Sequence, residues 1–254
     1  MQEVLRWGLL FFLASIVGHL PYLIMKNLFL LFALALATGP QAMAQGGLTS
    51  KDYDNGATGT ESRNTGVGIK GGYNTSNISG SGADLFPNKN SLAAFNAGAY
   101  GQFGFTNFAS LQIELLYIRK GYHTDAGTTT TGAPYTAHDT RLDYFELPVL
   151  LVGNITETLS LHVGPQVSVL TKVLNDGKNL DLNANGYNTL DYGFVGGAEA
   201  RLGLGRLGVR YDLSLADIYK TGAAVQYGST ALMVRDNNVR NQSIQVYLGI
   251  GYRK

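Results

Sequence analysis

From residue 66 onward the chain alternates apolar and polar residues with a period of two, the signature of strands whose two faces meet different surroundings. Eight segments carry the pattern: 66–74, 94–105, 109–122, 141–153, 158–172, 191–203, 205–216 and 242–253. The gaps after the first, third, fifth and seventh are long, and those after the second, fourth and sixth are only a few residues. Consecutive antiparallel strands put successive connections at opposite ends, so one end collects long loops and the other tight turns. This predicts an all-β chain folded as an eight-stranded antiparallel up-and-down transmembrane barrel. Its short turns and both termini would be periplasmic, and its long loops external.

Sorting each strand by parity separates two faces. Ile244, Val246, Leu248, Ile250 and Tyr252 oppose Ser243, Gln245, Tyr247, Gly249, Gly251 and Arg253. Leu207, Val209, Tyr211 and Leu213 oppose Gly208, Arg210, Asp212 and Ser214, and Phe145, Leu147, Val149 and Leu151 oppose Tyr144, Glu146, Pro148 and Leu150. The other strands divide alike, with Asp191, Glu199 and Arg201 together on the polar face of the sixth. The pattern alone does not say which face is inside. Two observations choose. The charged face is also the glycine-rich one, and small residues suit a narrow interior. The signal peptide read at 25–44 sends the chain out of the cytoplasm, and in an outer membrane a charge on lipid would cost roughly 2–4 kcal/mol for Arg or Lys at mid-membrane. The expected inward set is therefore Lys70, Glu114, Glu146, Glu199, Arg201, Arg210 and Asp212. Eight strands enclose a space that side chains fill, so these charges of both signs are expected to pair as a polar plug without an open pore. The alternative is that they line a narrow path for ions or a small solute.

Residues 25–44 read as a secretory signal peptide: Lys26 near the start, the apolar run 28–37, and the small-residue site Ala42-Met43-Ala44, with cleavage expected after Ala44. Because that signal is complete when read from Met25, residues 1–24 are expected to be an upstream extension. The rival reading makes 7–24 a membrane anchor, being barely long enough to span. Cleavage would remove Arg6, Lys26 and Glu3, leaving 17 basic residues of 19 and 17 acidic of 18. Residues 45–64, rich in Gly, Ser, Thr and Asp, read as a flexible leader before a barrel domain at 65–254.

Composition narrows function more than it names one. With 33 glycines and 26 tyrosines and phenylalanines, the chain suits a barrel. Near-zero net charge gives no sign of a nucleic-acid partner, and the absence of cysteine excludes disulfides and thiolate metal sites. Gly66–Gly71 and Gly203–Gly208 each fit G-x-G-x-x-G, but neither opens a helix within a βαβ unit, so both are read as strand or turn glycines. His123 and His138, with Asp125 and Asp139, flank a Thr-rich loop without tight ligand spacing. His162, Ser160 and Glu157 lack a nucleophile elbow. No metal, cofactor or catalytic site is assigned. The long gaps 75–93, 123–140, 173–190 and 217–241 are where a surface ligand would bind, with Leu85-Phe86-Pro87 and Tyr187 as aromatic points within them.

Several of these segments resemble the PorT-like outer-membrane β-barrel domain of Bacteroidetes, a porin-family domain. They are Gly68-Ile69-Lys70-Gly71-Gly72-Tyr73-Asn74, Leu111–Tyr117 with Lys120-Gly121, Leu142–Leu150, Val163-Gly164-Pro165 and Leu248–Tyr252. The resemblance covers about residues 64–253, and its most specific parts are the Tyr-acidic-apolar-Pro strand and the Gly-Pro pair. Barrels of this kind usually end on an aromatic residue, whereas here Arg253 and Lys254 follow Tyr252. The resemblance implies a non-enzymatic eight-stranded barrel in the cell outer membrane. Its partners would be outer-membrane lipid, the assembly machinery during insertion and, through the long loops, an extracellular ligand or protein. The expected role is structural or surface interaction. The alternatives are a narrow conduit or binder for small or hydrophobic molecules, and a subunit of a secretion or assembly machine.

Overall fold

The computed structural model describes residues 64–86, 88–128, 134–227, 230–234 and 238–253. Eight long strands form where the alternation runs: β1 Gly66–Ser79, β2 Lys89–Gly104, β3 Ala109–Thr124, β4 His138–Asn154, β5 Leu159–Asn175, β6 Leu190–Leu202, β7 Gly205–Ser214 and β8 Arg240–Arg253. Each pairs antiparallel with the next, and β8 pairs with β1 from Gly66↔Arg253 to Ser79↔Arg240, closing the barrel. Closure leaves no unpaired sheet edge, which backbone in lipid requires. The expected extension 1–24, the signal segment 25–44 and the leader up to 63 lie outside the described residues.

The faces divide by parity. On β8, Leu248 and Ile250 are each 66 % exposed while Tyr247 between its apolar neighbours is 2 % exposed. An outward aromatic row crosses four strands, with Tyr73 opposite Phe95, Tyr117 opposite Phe145, and the Phe95 and Tyr117 rings 5.9 Å apart. Such rows mark the edge of the apolar band.

Several strands outrun the sequence pattern at the long-loop end. β1 reaches Ser79 and β2 starts at Lys89, where alternation had marked 74 and 94. Residues 75–79 and 89–93 are mostly polar on both faces. Beyond the lipid band both faces meet water or loops, so the hydrophobic contrast vanishes while the hydrogen-bond ladder continues.

The short-turn end is built from repeated chemistry. Thr106 Oγ1 accepts from the Phe108 and Ala109 amides at 3.1 and 3.0 Å, and Thr156 Oγ1 accepts from the Thr158 and Leu159 amides at 3.2 and 2.9 Å. The β6–β7 turn needs only Gly203 and Leu204, with Gly203 at φ 62°, a conformation that favours glycine. Asn64, expected in the leader, is instead held here. Its amide donates to the Thr106 and Asn107 carbonyls at 3.0 and 2.9 Å.

The long loops are not featureless. Ser81–Leu85 forms a 3-10 turn, Gly127–Thr128 pairs with Pro134–Tyr135, Lys178–Leu180 adds to β5, and Ala223–Tyr227 pairs with Thr230–Val234.

Candidate functional site

Among the described residues the barrel interior gathers ten buried charges: Lys70, Lys120, Arg201, Arg206 and Arg210 against Glu114, Glu146, Asp191, Glu199 and Asp212. Equal numbers of each sign fit a space where unpaired charge is costly. They stack in tiers along the axis.

Nearest the short turns, Glu199 accepts from Arg206 Nη1 at 3.1 Å, Arg201 Nε at 3.3 Å and the Tyr247 hydroxyl at 3.0 Å. Arg201 also donates to Asn64 Oδ1 at 3.0 Å, tying this tier to the chain entering β1. In the middle, Glu114 accepts from Lys70 at 2.5 Å, Gln112 at 2.6 Å and Arg210 at 2.7 Å, and Arg210 Nε donates to Gln245 at 2.8 Å. Lys70 lies over the Tyr247 ring and Arg206 over the Tyr100 ring, at 4.3 and 4.4 Å from their centroids. Above them, Lys120 sits 2.5 Å from Asp212 and 2.9 Å from Glu146, while Asp191 accepts from Ser214 at 2.7 Å. Glycines make room for the rings, because a Cβ at Gly208 would lie 2.2 Å from Tyr247 and one at Gly68 would lie 2.4 Å from Tyr100.

Over the charges, at the long-loop mouth, lies an apolar cap. Ile78, Ile118, Tyr122, Leu142, Tyr144, Leu170 and Val173 from the strands pack with Phe86, Tyr187, Ile218, Tyr219 and Val239 from the loops. Phe86 stacks on Tyr219 at 5.8 Å, Tyr187 and Tyr219 are 5.0 Å apart, and the Tyr122 and Tyr219 hydroxyls share a 3.0 Å hydrogen bond.

All seven residues singled out from sequence are buried in this interior, in three groups: Lys70–Glu114–Arg210, Glu146–Asp212 and Glu199–Arg201. The residue that joins Glu146 to Asp212 is Lys120, and the one that joins the lower tiers is Arg206, whose Nη1 reaches Gln112 at 3.2 Å. Neither was selected, yet parity marks both. Lys120 shares the face of Gln112 and Glu114, and Arg206 that of Arg210. Phe86 and Tyr187, singled out as aromatic points within the long loops, are each 1 % exposed and belong to the cap. Burial of their rings outweighs the polar character of the loops around them.

His162 faces inward, its ring 6.5 Å from that of Tyr247, while Glu157 is exposed in a turn and Ser160 bonds the Glu199 carbonyl. The three do not converge. Outside the lipid band His123 lies between Asp139, 2.6 Å from Nδ1, and Asp125, 3.3 Å from Nε2. The Asp139 hydrogen bond raises its pKa above the usual histidine value. Among the described residues no three or more ligating side chains gather around a common metal position.

The sequence matches the family described as "Outer membrane protein beta-barrel domain" over residues 43–220. This chain belongs to that family. It is an outer-membrane β-barrel protein. Similar solved structures include Ail of Yersinia pestis, at 13 % identity and TM-score 0.40 over 74 % of this chain and 99 % of that one. Neisserial surface protein A has 12 % identity and TM-score 0.45, over 73 % and 97 %. OprG of Pseudomonas aeruginosa has 13 % identity and TM-score 0.39, over 77 % and 99 %. No curated protein matches the sequence.

Proposed function

We propose that this protein is a non-enzymatic, non-conducting barrel that anchors and displays its long loops on the outer face of the outer membrane. The observation that carries the reading is the exclusion of solvent from the interior charges. The side chains of Lys70, Glu114, Lys120, Glu146 and Asp212 are each at most 1 % exposed. A water-filled path would expose them along its length. The same stack counts against a conduit for hydrophobic molecules, since an apolar solute would displace the cap only to meet three charged tiers. The proposal includes export by the segment 25–44 with cleavage after Ala44, a PorT-like affiliation, and an extracellular ligand or protein as the loops' partner.

Single-channel recording in planar bilayers tests the reading. No steady conductance is expected. A steady conductance that changes with Glu114→Gln or Arg210→Gln would replace it with transport. Recovery of a loop-dependent complex with secretion components in detergent pull-downs would favour an assembly subunit.

A further inference from the structure

Just above the outward aromatic row, β3, β4 and β5 carry a charged row on the outside of the barrel. The register sets Arg119 opposite Asp143 and Asp143 opposite Lys172. Lys172 reaches this face only because a bulge interrupts the β4–β5 ladder between Asp143 and Tyr144. Tyr144 pairs with Leu170 and Asp143 with Lys172, so Thr171 is the extra residue. Along β5 the even-numbered Gln166, Ser168 and Leu170 are buried inside. Without the bulge Lys172 would follow them inward. Bulges re-aim side chains in this way.

Asp143 positions the row. Its carboxylate accepts from Arg119 Nε at 2.6 Å, Arg119 Nη2 at 2.9 Å and the Tyr117 hydroxyl at 2.6 Å, and the Phe95 ring lies 5.5 Å from the guanidinium. The clamp holds Arg119 still and leaves its Nη1 facing away from Asp143. Lys172 is exposed and forms no direct ion pair among the described residues. Two positions before Asp143 on β4, the Arg141 side chain is 40 % exposed, with one terminal nitrogen on Asp139 at 2.8 Å. Three cations thus meet one sector of the wall at the height where lipid chains end. Near the ends of β1, β7 and β8 the outward Thr75, Leu213 and Gln242 are uncharged, and the cation beyond them, Arg240 at the start of β8, lies 3.6 Å from Asp217.

We propose that this face, Arg119, Arg141 and Lys172 on β3–β5, binds the phosphate of a phosphorylated lipid headgroup. The guanidiniums offer paired N–H donors to phosphate oxygens and Lys172 a mobile charge, with the acyl chains lying against Tyr117 and Phe145 below. The inference rests on the membrane reading above but not on the barrel's orientation in the cell, because a lipid disc presents the same leaflet to both ends. Protease shaving of intact cells tests orientation separately.

The test uses the full barrel in phosphatidylcholine nanodiscs doped with lipid A, with retained lipid read by native mass spectrometry. Wild type is expected to retain lipid A over phosphatidylcholine. Removing surface cations is expected to weaken retention about fivefold each, so about 25-fold for K172Q/R141Q. Lys172→Gln alone, at an exposed position with no direct ion pair among the described residues, gives a second variant that leaves the Arg119–Asp143 clamp intact. Equal retention by wild type and variants would overturn the proposal. So would equal retention of dephosphorylated lipid A, or displacement of lipid A by millimolar inorganic phosphate, which would make the site one for free anions.

Discussion

Glu114 is the side chain on which the interior charge arrangement turns, and Glu114→Gln is its sharpest test. The carboxylate accepts from Lys70 at 2.5 Å, Gln112 at 2.6 Å and Arg210 at 2.7 Å, and is fully buried. Glutamine keeps the shape but removes the charge, and it turns a donor toward two cations that have little water to fall back on. Breaking a buried pair by removing one partner costs about 3–5 kcal/mol. Here one removal strips two cations, so the upper part of that range is expected. At 1.36 kcal/mol per tenfold change this is about a 10³-fold loss in folding equilibrium. Denaturant unfolding in detergent or lipid, followed by circular dichroism, measures it. The processed chain would carry no tryptophan, because Trp7 is the only one. The companion variant K70M/E114L/R210M replaces the charges with apolar bulk and is expected to recover most of the loss. A cost below about 1 kcal/mol for Glu114→Gln, the size typical of an exposed pair, would mean that water reaches the site and would refute the filled-interior argument.

Other outcomes follow from the same structure. Leu248→Arg, outward in the apolar band, is expected to cost roughly 2–4 kcal/mol of folding free energy in lipid, and an unaffected midpoint would reverse the assigned faces. Gly208→Ala sets a methyl against Tyr247 and is expected to cost about 1–3 kcal/mol by overpacking. Phe86→Ala removes a cap ring and is expected to cost about 3–5 kcal/mol and to speed hydrogen exchange in loops 80–88 and 215–239, while conductance stays silent because the charged tiers remain. The His123 tie between Asp125 and Asp139 is present when the imidazole is charged. Its folded pKa is raised, chiefly by the Asp139 hydrogen bond, so the stabilisation is full below the unfolded value of about 6.5 and fades as pH rises through the higher folded value. Exchange at 123–139 should quicken over that interval in wild type, and a His123→Ala variant with the same pH profile would refute the assignment.

What parity could read, it read well. The eight strands, their up-and-down order and the contrast of long loops with short turns follow from period-two alternation, because lipid on one side and a filled interior on the other impose opposite chemistry on successive residues. Lys70, Glu114, Arg210 and their companions were legible for the same reason. The strand extensions 75–79 and 89–93 were not, since above the lipid band nothing forces the two faces to differ. The cap was hidden for a different reason. Ile118, Tyr122 and Leu142 are apolar residues at inward positions, and only the folding of Phe86, Tyr187 and Tyr219 over the mouth makes that part of the interior apolar.

The sequence by itself therefore sorted most strand residues into two faces, because that depends on local alternation, and the charges and glycines gathered on one of them marked it as the inner face. The tertiary structure alone decided who pairs with whom. Glu114 meets Arg210 and Lys120 meets Asp212 across the lumen, contacts set by barrel closure and ladder register. One bulge beside Thr171, which alternation does not reveal, turns Lys172 from the interior to the outer wall.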